Sequence, residues 1–160
     1  MFLESNENIP IFDLPLGFSI RKFNLNDDEK TWCHIVTQAG EFTDEKLAQE
    51  KFRNWTNEFS EEISDRCFFL VDDKTGQDIG TVTSWEGVNE YKGLGRLHWV
   101  AIIPKYQNLG LAKPMISYAL KCMKEKYSTF YLKTDNTKQK AIHLYSDFGF
   151  TQKDPINPKN

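Results

Sequence analysis

Gln107, Gly110 and Ala112 stand where an apolar run, Leu97 to Ile103, gives way through Pro104 to an amphipathic stretch beginning near Gly110. A strand that enters a small-residue turn and then a helix leaves several backbone N–H groups without intrahelical acceptors, and such groups bind anions, phosphate above all. Two familiar phosphate loops do not fit. The G-x-x-x-x-G-K-[ST] loop needs a second glycine and a Gly-Lys-Ser/Thr, both missing around Gly110. The G-x-G-x-x-G fingerprint follows a strand and opens a helix, whereas Gly93-x-Gly95 leads to His98 and into a strand. Proton chemistry is available close by. The ordinary pKa of a histidine would suit His98 to act as a base at neutral pH, although a strand histidine equally serves packing. Glu86, just past Trp85, offers a carboxylate, a group more often simply solvated.

The elements that must hold these residues follow from periodicity. Gly17 to Phe23 alternates as a short strand. Asn26-Asp-Asp-Glu29 opens a helix, acidic in its first turn, with Trp32, Ile35 and Val36 at helical spacing up to Gly40. A second helix starts at Thr43 and carries Leu47, Phe52 and Trp55. Cys67 to Val71 is a buried-strand run, Asp72 to Gly76 is turn chemistry, and Ile79 to Trp85 is the second strand of the hairpin. Leu97 to Ile103 follows, with His98, Val100 and Ile102 in one two-residue register. From Gly110 to Lys126 the pattern predicts a helix with Leu111, Met115, Tyr118, Ala119 and Cys122 on its apolar face and Pro114 in its first turn. Thr129 to Lys133 is a strand, Asn136 to Phe148 a helix, and Phe148-Gly-Phe150 leads into a last short strand before a polar tail, Asp154 to Asn160. Residues 1–16, with Pro10 and Pro15, read as an irregular lead-in to a single domain over 17–160. The order is β-α-α-β-β-β-α-β-α-β, an α/β (α+β) domain with a hairpin meander followed by a crossover unit.

At 160 residues, with 39% hydrophobic and 27% charged residues, the chain is long enough for one well-filled core, and 14% aromatics make ring packing a large part of it. A net charge of -3 argues against a nucleic-acid surface. No apolar run approaches the ~20 residues of a membrane span. The start MFLESNENIP lacks the pattern of a signal peptide, and three widely spaced cysteines without a C-x-x-C pair favour reduced thiols in a cytoplasm.

Gln107-Asn108-Leu109-Gly110-Leu111-Ala112 matches [RQ]-x-x-G-x-[GA] at every specified position. Downstream, Ala141-Ile-His-Leu-Tyr145-Ser-Asp-Phe-Gly149-Phe150 matches A-[IL]-x-L-Y-x-x-x-G-F. With both motifs at this distance, the sequence resembles the GNAT superfamily of N-acetyltransferases from Gly17 to the last strand. The resemblance implies a mixed, mostly antiparallel sheet in which the fourth and fifth strands run parallel and splay apart. It implies acetyl-CoA as co-substrate and no metal, with the pyrophosphate on the loop from Gln107 through Asn108, Leu109, Gly110, Leu111 and Ala112 to Lys113. The pantetheine arm would pair with backbone groups of Ile102 and Ile103.

The same resemblance implies Tyr145 as general acid, protonating the departing thiolate, and an oxyanion donor among the backbone N–H groups near Ile102. For the base, some members carry a histidine at the position of His98. Others carry a glutamate where this chain has Arg96, so His98, Glu86 and a water relay all stay open. An asparagine that often contacts the cofactor is replaced by Lys138; Asn136 is the nearest substitute, or else a helix N-cap. The acceptor implied is a primary amine of a small molecule or peptide, held by residues 26–59 and the loop from Glu86 to Lys92. A homodimer belongs to the family's habits. The alternative is a non-catalytic acyl-CoA-binding module on the same fold.

Overall fold

The computed structural model describes residues 1–4, 8–56 and 60–153. Six strands, β1 (Phe2–Leu3), β2 (Phe18–Lys22), β3 (Cys67–Asp72), β4 (Gln77–Glu86), β5 (Gly95–Ile102) and β6 (Phe130–Tyr131), form one sheet in the order β1-β6-β5-β4-β3-β2. All neighbours are antiparallel except β5 and β6. Helices α1 (Asp28–Gln38), α2 (Glu45–Thr56) and α3 (Ser60–Arg66) precede β3. Helix α4 (Ala112–Met123) crosses from β5 to β6, and α5 (Gln139–Ser146) follows β6.

The mixed fold class and the parallel splay are as expected, with three departures in the element list. The lead-in supplies an edge strand: Phe2 and Leu3 pair with Tyr131 and Phe130, and the Met1 amine donates to the Leu132 carbonyl at 2.8 Å. Helix α3 was not expected; its Ile63 is fully buried. The expected last strand is a single bridge from Thr151 to Phe2. The polar tail from Asp154 onward lies outside the described residues.

The central strand β4 is covered on both faces, which is why Ile79 through Trp85 are all buried whatever their polarity. Helix α4 covers one face, where the Ser84 hydroxyl donates to the Ala119 carbonyl at 2.9 Å. Helices α1 and α2 cover the other with an aromatic layer. Trp32, wholly buried, has ring centroids 5.0 Å from Phe52, 5.3 Å from Trp99 and 6.1 Å from Phe42. The buried side of α4 is Met115, Ile116, Ala119, Leu120 and Met123, while Tyr118 and Cys122 are exposed. The apolar stripe is therefore rotated from the expected one, burying Ile116, Leu120 and Met123 and leaving the polar-tipped Tyr118 and the Cys122 thiol at the surface.

Two features of β5 build the site. A β-bulge interrupts its pairing with β4: Thr81 faces Ala101 but Thr83 faces His98, so β5 carries an extra residue. Trp99 absorbs it with φ of +50°, a left-handed conformation uncommon for a bulky residue. The bulge breaks the expected common register of His98 and Ile102. His98 and Trp99, though consecutive, now lie side by side with rings 4.4 Å apart, whereas Ile102 sits opposite Gly80 on the α4 side. The second feature is the short parallel pairing, Gly95 with Phe130 and Arg96 with Tyr131. Beyond Arg96 the two strands diverge and leave a cleft along the free edge of β5.

Candidate active site

On one side of the cleft lies the turn from β5 to α4. Pro104–Tyr106 forms one 3-10 turn, Asn108 and Gly110 adopt φ of +62° and +76°, and α4 starts at Ala112. Tight reversals of this kind leave donors unused. The N–H groups of Asn108, Leu109, Gly110, Leu111, Ala112 and Lys113 donate to no described group, and the first bond recorded beyond them is Met115 N–H to the Leu111 carbonyl at 3.3 Å. Six successive free N–H groups at a helix N-terminus make an anion cradle. Gly110 has open space where a Cβ would stand, so its need for glycine is conformational.

Gln107 does something else with its side chain. Its Nε2 donates to the Ile102 carbonyl at 2.8 Å, bracing the loop against the end of β5. Ile103 donates its N–H to Ile79 at 2.9 Å, toward β4, so the Ile102 N–H points to the free edge of the cleft. Of the two isoleucines, Ile102 therefore presents the backbone donor, while both side chains are buried in the core. Lys113 lines the cavity but is already paired, with Asp147 Oδ2 at 2.9 Å, and lies over the Phe12 ring.

The cleft holds two cavities. The donor-side one, about 410 Å³, is lined by Val100 to Ile102, by Tyr106 through Lys113 of the loop (Leu109 excepted, which points outward and is exposed), and by α5. The other, about 490 Å³, is lined by Arg96 to Val100 of β5, by Glu41 and by Leu132 to Asp135. Val100, Ala141 and Tyr145 line both, so the cavities adjoin at Tyr145. A Lys138–Glu41 ion pair at 2.7 Å ties the α1–α2 loop to the start of α5 beside the second cavity.

Tyr145, on α5, is buried, its ring edge-on to Phe150 at 6.2 Å, and no described group hydrogen-bonds its hydroxyl. Burial pushes its phenol above the ordinary tyrosine range, with a smaller push from Glu41. His98 lies in the acceptor-side cavity, its ring 6.0 Å from Trp55. Burial, with the nearby Arg96 charge, holds its imidazole well below the usual range. At pH 7 the imidazole is therefore neutral, with one ring nitrogen able to accept a hydrogen bond, and is a weaker base than an ordinary histidine.

Two other expected residues lie elsewhere. Glu86 lines a separate pocket with Arg66 and Asn89, accepts a hydrogen bond from the Tyr127 hydroxyl at 3.3 Å and pairs with Lys126 at 3.7 Å. Asn136 is exposed and lines neither cavity of the cleft. Nor does it cap α5, whose N-cap is Lys138; its carbonyl accepts from the Gln139 side chain at 2.7 Å. Glu41 was missed because it lies in the α1–α2 loop, far in sequence from both motifs, while Val100 and Ala141 were named only for strand register and motif and not as cavity walls. Sequence reasoning noted Arg96 only as a departure.

A model of the acetyltransferase (GNAT) family matches residues 27–150. The mycothiol acetyltransferase of Arthrobacter sp. (strain FB24) is 27% identical over 171 residues, covering 98% of this chain and 50% of that protein. The chain thus spans about half the length of the curated relatives it matches. Among solved structures, a GCN5-related N-acetyltransferase from Sphaerobacter thermophilus superimposes with a TM-score of 0.71 at 18% identity, covering 92% of this chain and 45% of that one. A chain of the NatC complex bound to Gag peptide and CoA gives 0.65 at 17% identity, covering 85% and 86%. These neighbours share the fold, and the family match takes in both the loop and Tyr145. The chain belongs to the acetyltransferase (GNAT) family.

Proposed function

We propose that this protein transfers the acetyl group of acetyl-CoA to a primary amine by direct attack. The observation that carries the proposal is the adjoining pair of cavities: an anion cradle opens one, a neutral histidine lines the other, and Tyr145 stands where they meet. The residues present fit the co-substrate. Six free N–H groups from Asn108 to Lys113 suit a pyrophosphate, and the splayed free edge of β5 suits an extended amide-bearing arm. Acetyl-CoA, when bound, would supply an activated thioester and a thiolate leaving group.

The chain's own residues then divide the work. The Ile102 N–H offers a fixed donor to a developing oxyanion, worth more in a dry cleft than in water. Tyr145 stays protonated because burial disfavours its phenolate, so its hydroxyl is available to hydrogen-bond and then protonate a departing thiolate, whose own charge the same dry cleft disfavours. A neutral His98 accepts a hydrogen bond from an attacking amine without first losing a proton. It is too weak to strip an alkylammonium with pKa near ~10, so the amine reacts from its neutral fraction or loses its proton through water. Unpaired thiols at Cys33, Cys67 and Cys122 support a reducing compartment, the cytoplasm.

The test is release of the coenzyme A thiol from acetyl-CoA across a panel of primary amines, with the N-acetyl product identified by mass. Amine-dependent thiol release with matching product is expected. Thiol release no faster than spontaneous hydrolysis for every amine class would overturn the proposal.

A further inference from the structure

We propose that the acceptor carries an anionic group, a carboxylate or a phosphate, bound by Arg96 with Lys133 at the β6 end of the acceptor-side cavity. This rests on the acetyl-transfer reading above and names the substrate class of that same site.

Arg96 and Lys133 both line this cavity, and among the described residues neither makes an ion pair. Their recorded neighbours are rings: Arg96 lies 5.8 Å from the Tyr131 centroid and Lys133 5.7 Å from that of Tyr91. The carboxylates of the same wall are engaged elsewhere. Glu41 takes Lys138 at 2.7 Å, and Asp135 accepts both the N–H and the hydroxyl of Thr137 at 2.7 Å. Arg96 Nε is fully buried without an acceptor, and so is the hydroxyl of the neighbouring Tyr131. Buried donors in folded proteins nearly always find partners, and a half-buried guanidinium without a counter-ion has lost hydration that an anion would replace. Its planar fork of N–H groups matches carboxylate and phosphate oxygens in pairs.

Position makes the anion part of the acceptor. Arg96 and His98 are two residues apart on β5, both in the wall of one cavity, with Cα atoms about 6.6 Å apart by strand geometry. An anion held at Arg96 leaves room for an amine a few bonds away, beside His98 and facing Tyr145. The donor-side anion cradle is on the far side of Tyr145, so the two anion sites do not compete.

The experiment compares matched acceptors with acetyl-CoA: amino acids against their carboxamides, and phosphorylated amines or amino sugars against the dephosphorylated forms. The anionic member of at least one series should show kcat/KM about ten- to hundredfold higher, the range of one strong charge-assisted contact. In Arg96→Gln this ratio should fall toward one through the KM of the anionic member, and Arg96→Lys, which keeps charge but not the fork, should retain part of it. Carboxylates preferred over phosphates, or the reverse, identifies the source of the anion. Equal or better turnover of the neutral members, or a ratio untouched in Arg96→Gln, overturns this inference and leaves acetyl transfer standing. Silence of both members in every series overturns the acetyl-transfer reading and this inference with it.

Discussion

Replacing Tyr145 by phenylalanine removes one oxygen from the wall shared by the two cavities and alters almost nothing else. The ring is buried and keeps its edge contact with Phe150, and no described group is left without a partner, because none hydrogen-bonds the hydroxyl. Folding stability should therefore stay within about 0.5 kcal/mol of the parent, about 2 °C or less in melting temperature for a chain of this size. Catalysis should suffer far more. A positioned general acid contributes about 10²–10⁴-fold, so at ~1.4 kcal/mol per tenfold the barrier rises by about 3–5 kcal/mol. Burial raises the phenol pKa, so the proton is held to higher pH than in an exposed tyrosine. The wild-type rate should climb with pH as the amine deprotonates and show no descending limb below about pH 10. Steady-state thiol release between pH 6 and 10, alongside thermal melts, measures all three. A Tyr145→Phe enzyme with kcat within threefold of wild type and the same pH profile would refute the acid role.

Other perturbations test the frame that holds the cleft. In Gly95→Ala, the new Cβ would lie 2.5 and 2.9 Å from ring carbons of the fully buried Phe130, at the parallel pairing where the splay begins. Overpacking there should cost about 1–3 kcal/mol in denaturant melts, and a neutral result would contradict the packing of β5 on β6. Asp28→Ala removes a carboxylate that takes Arg21 at 2.6 and 2.8 Å and the Asn24 N–H at 2.6 Å. With Arg21 partly solvated and still holding Asp78, the loss should be about 1–3 kcal/mol, read in the same melts. Tyr106 donates to Asp72 at 2.8 Å and holds its carboxylate below the usual range. That contribution is present above the unfolded pKa near ~3.9 and is lost as pH falls through the lower folded value. The stability gap between wild type and Tyr106→Phe should accordingly hold above about pH 4 and narrow as the pH falls below it, and a constant gap down to about pH 2 would contradict it.

The donor half of the site was legible because its chemistry is local. A small-residue turn between strand and helix is written in consecutive letters, Gln107 to Ala112, and Tyr145 sits in a second such run. The acceptor half depends on distant events. Nothing in the side chain of Trp99 announces a left-handed residue, since a bulge is selected by the packing of Trp99 against Trp32 and Phe42. Without the bulge, His98 and Ile102 read as one register. The depressed His98 pKa likewise depends mainly on burial under the α1–α2 aromatic layer, which is not a neighbour-by-neighbour property, although the contributing Arg96 charge lies only two residues away. Glu86 looked eligible by type and strand position alone; its ring and ammonium partners, Tyr127 and Lys126, come from beyond α4. The edge strand at Phe2–Leu3 was invisible because two residues cannot show a period, and its cause lies in the open edge of β6.

A crystal structure with acetyl-CoA bound tests the central claim most directly, because it shows where donor and acceptor ends lie relative to Tyr145. The account expects the pyrophosphate against the N–H groups of Asn108 to Lys113, the pantetheine arm along the free edge of β5 at Ile102, and the thioester sulfur within reach of the Tyr145 hydroxyl. A coenzyme seated outside the cleft between β5 and β6, or with its thioester remote from Tyr145, would contradict it.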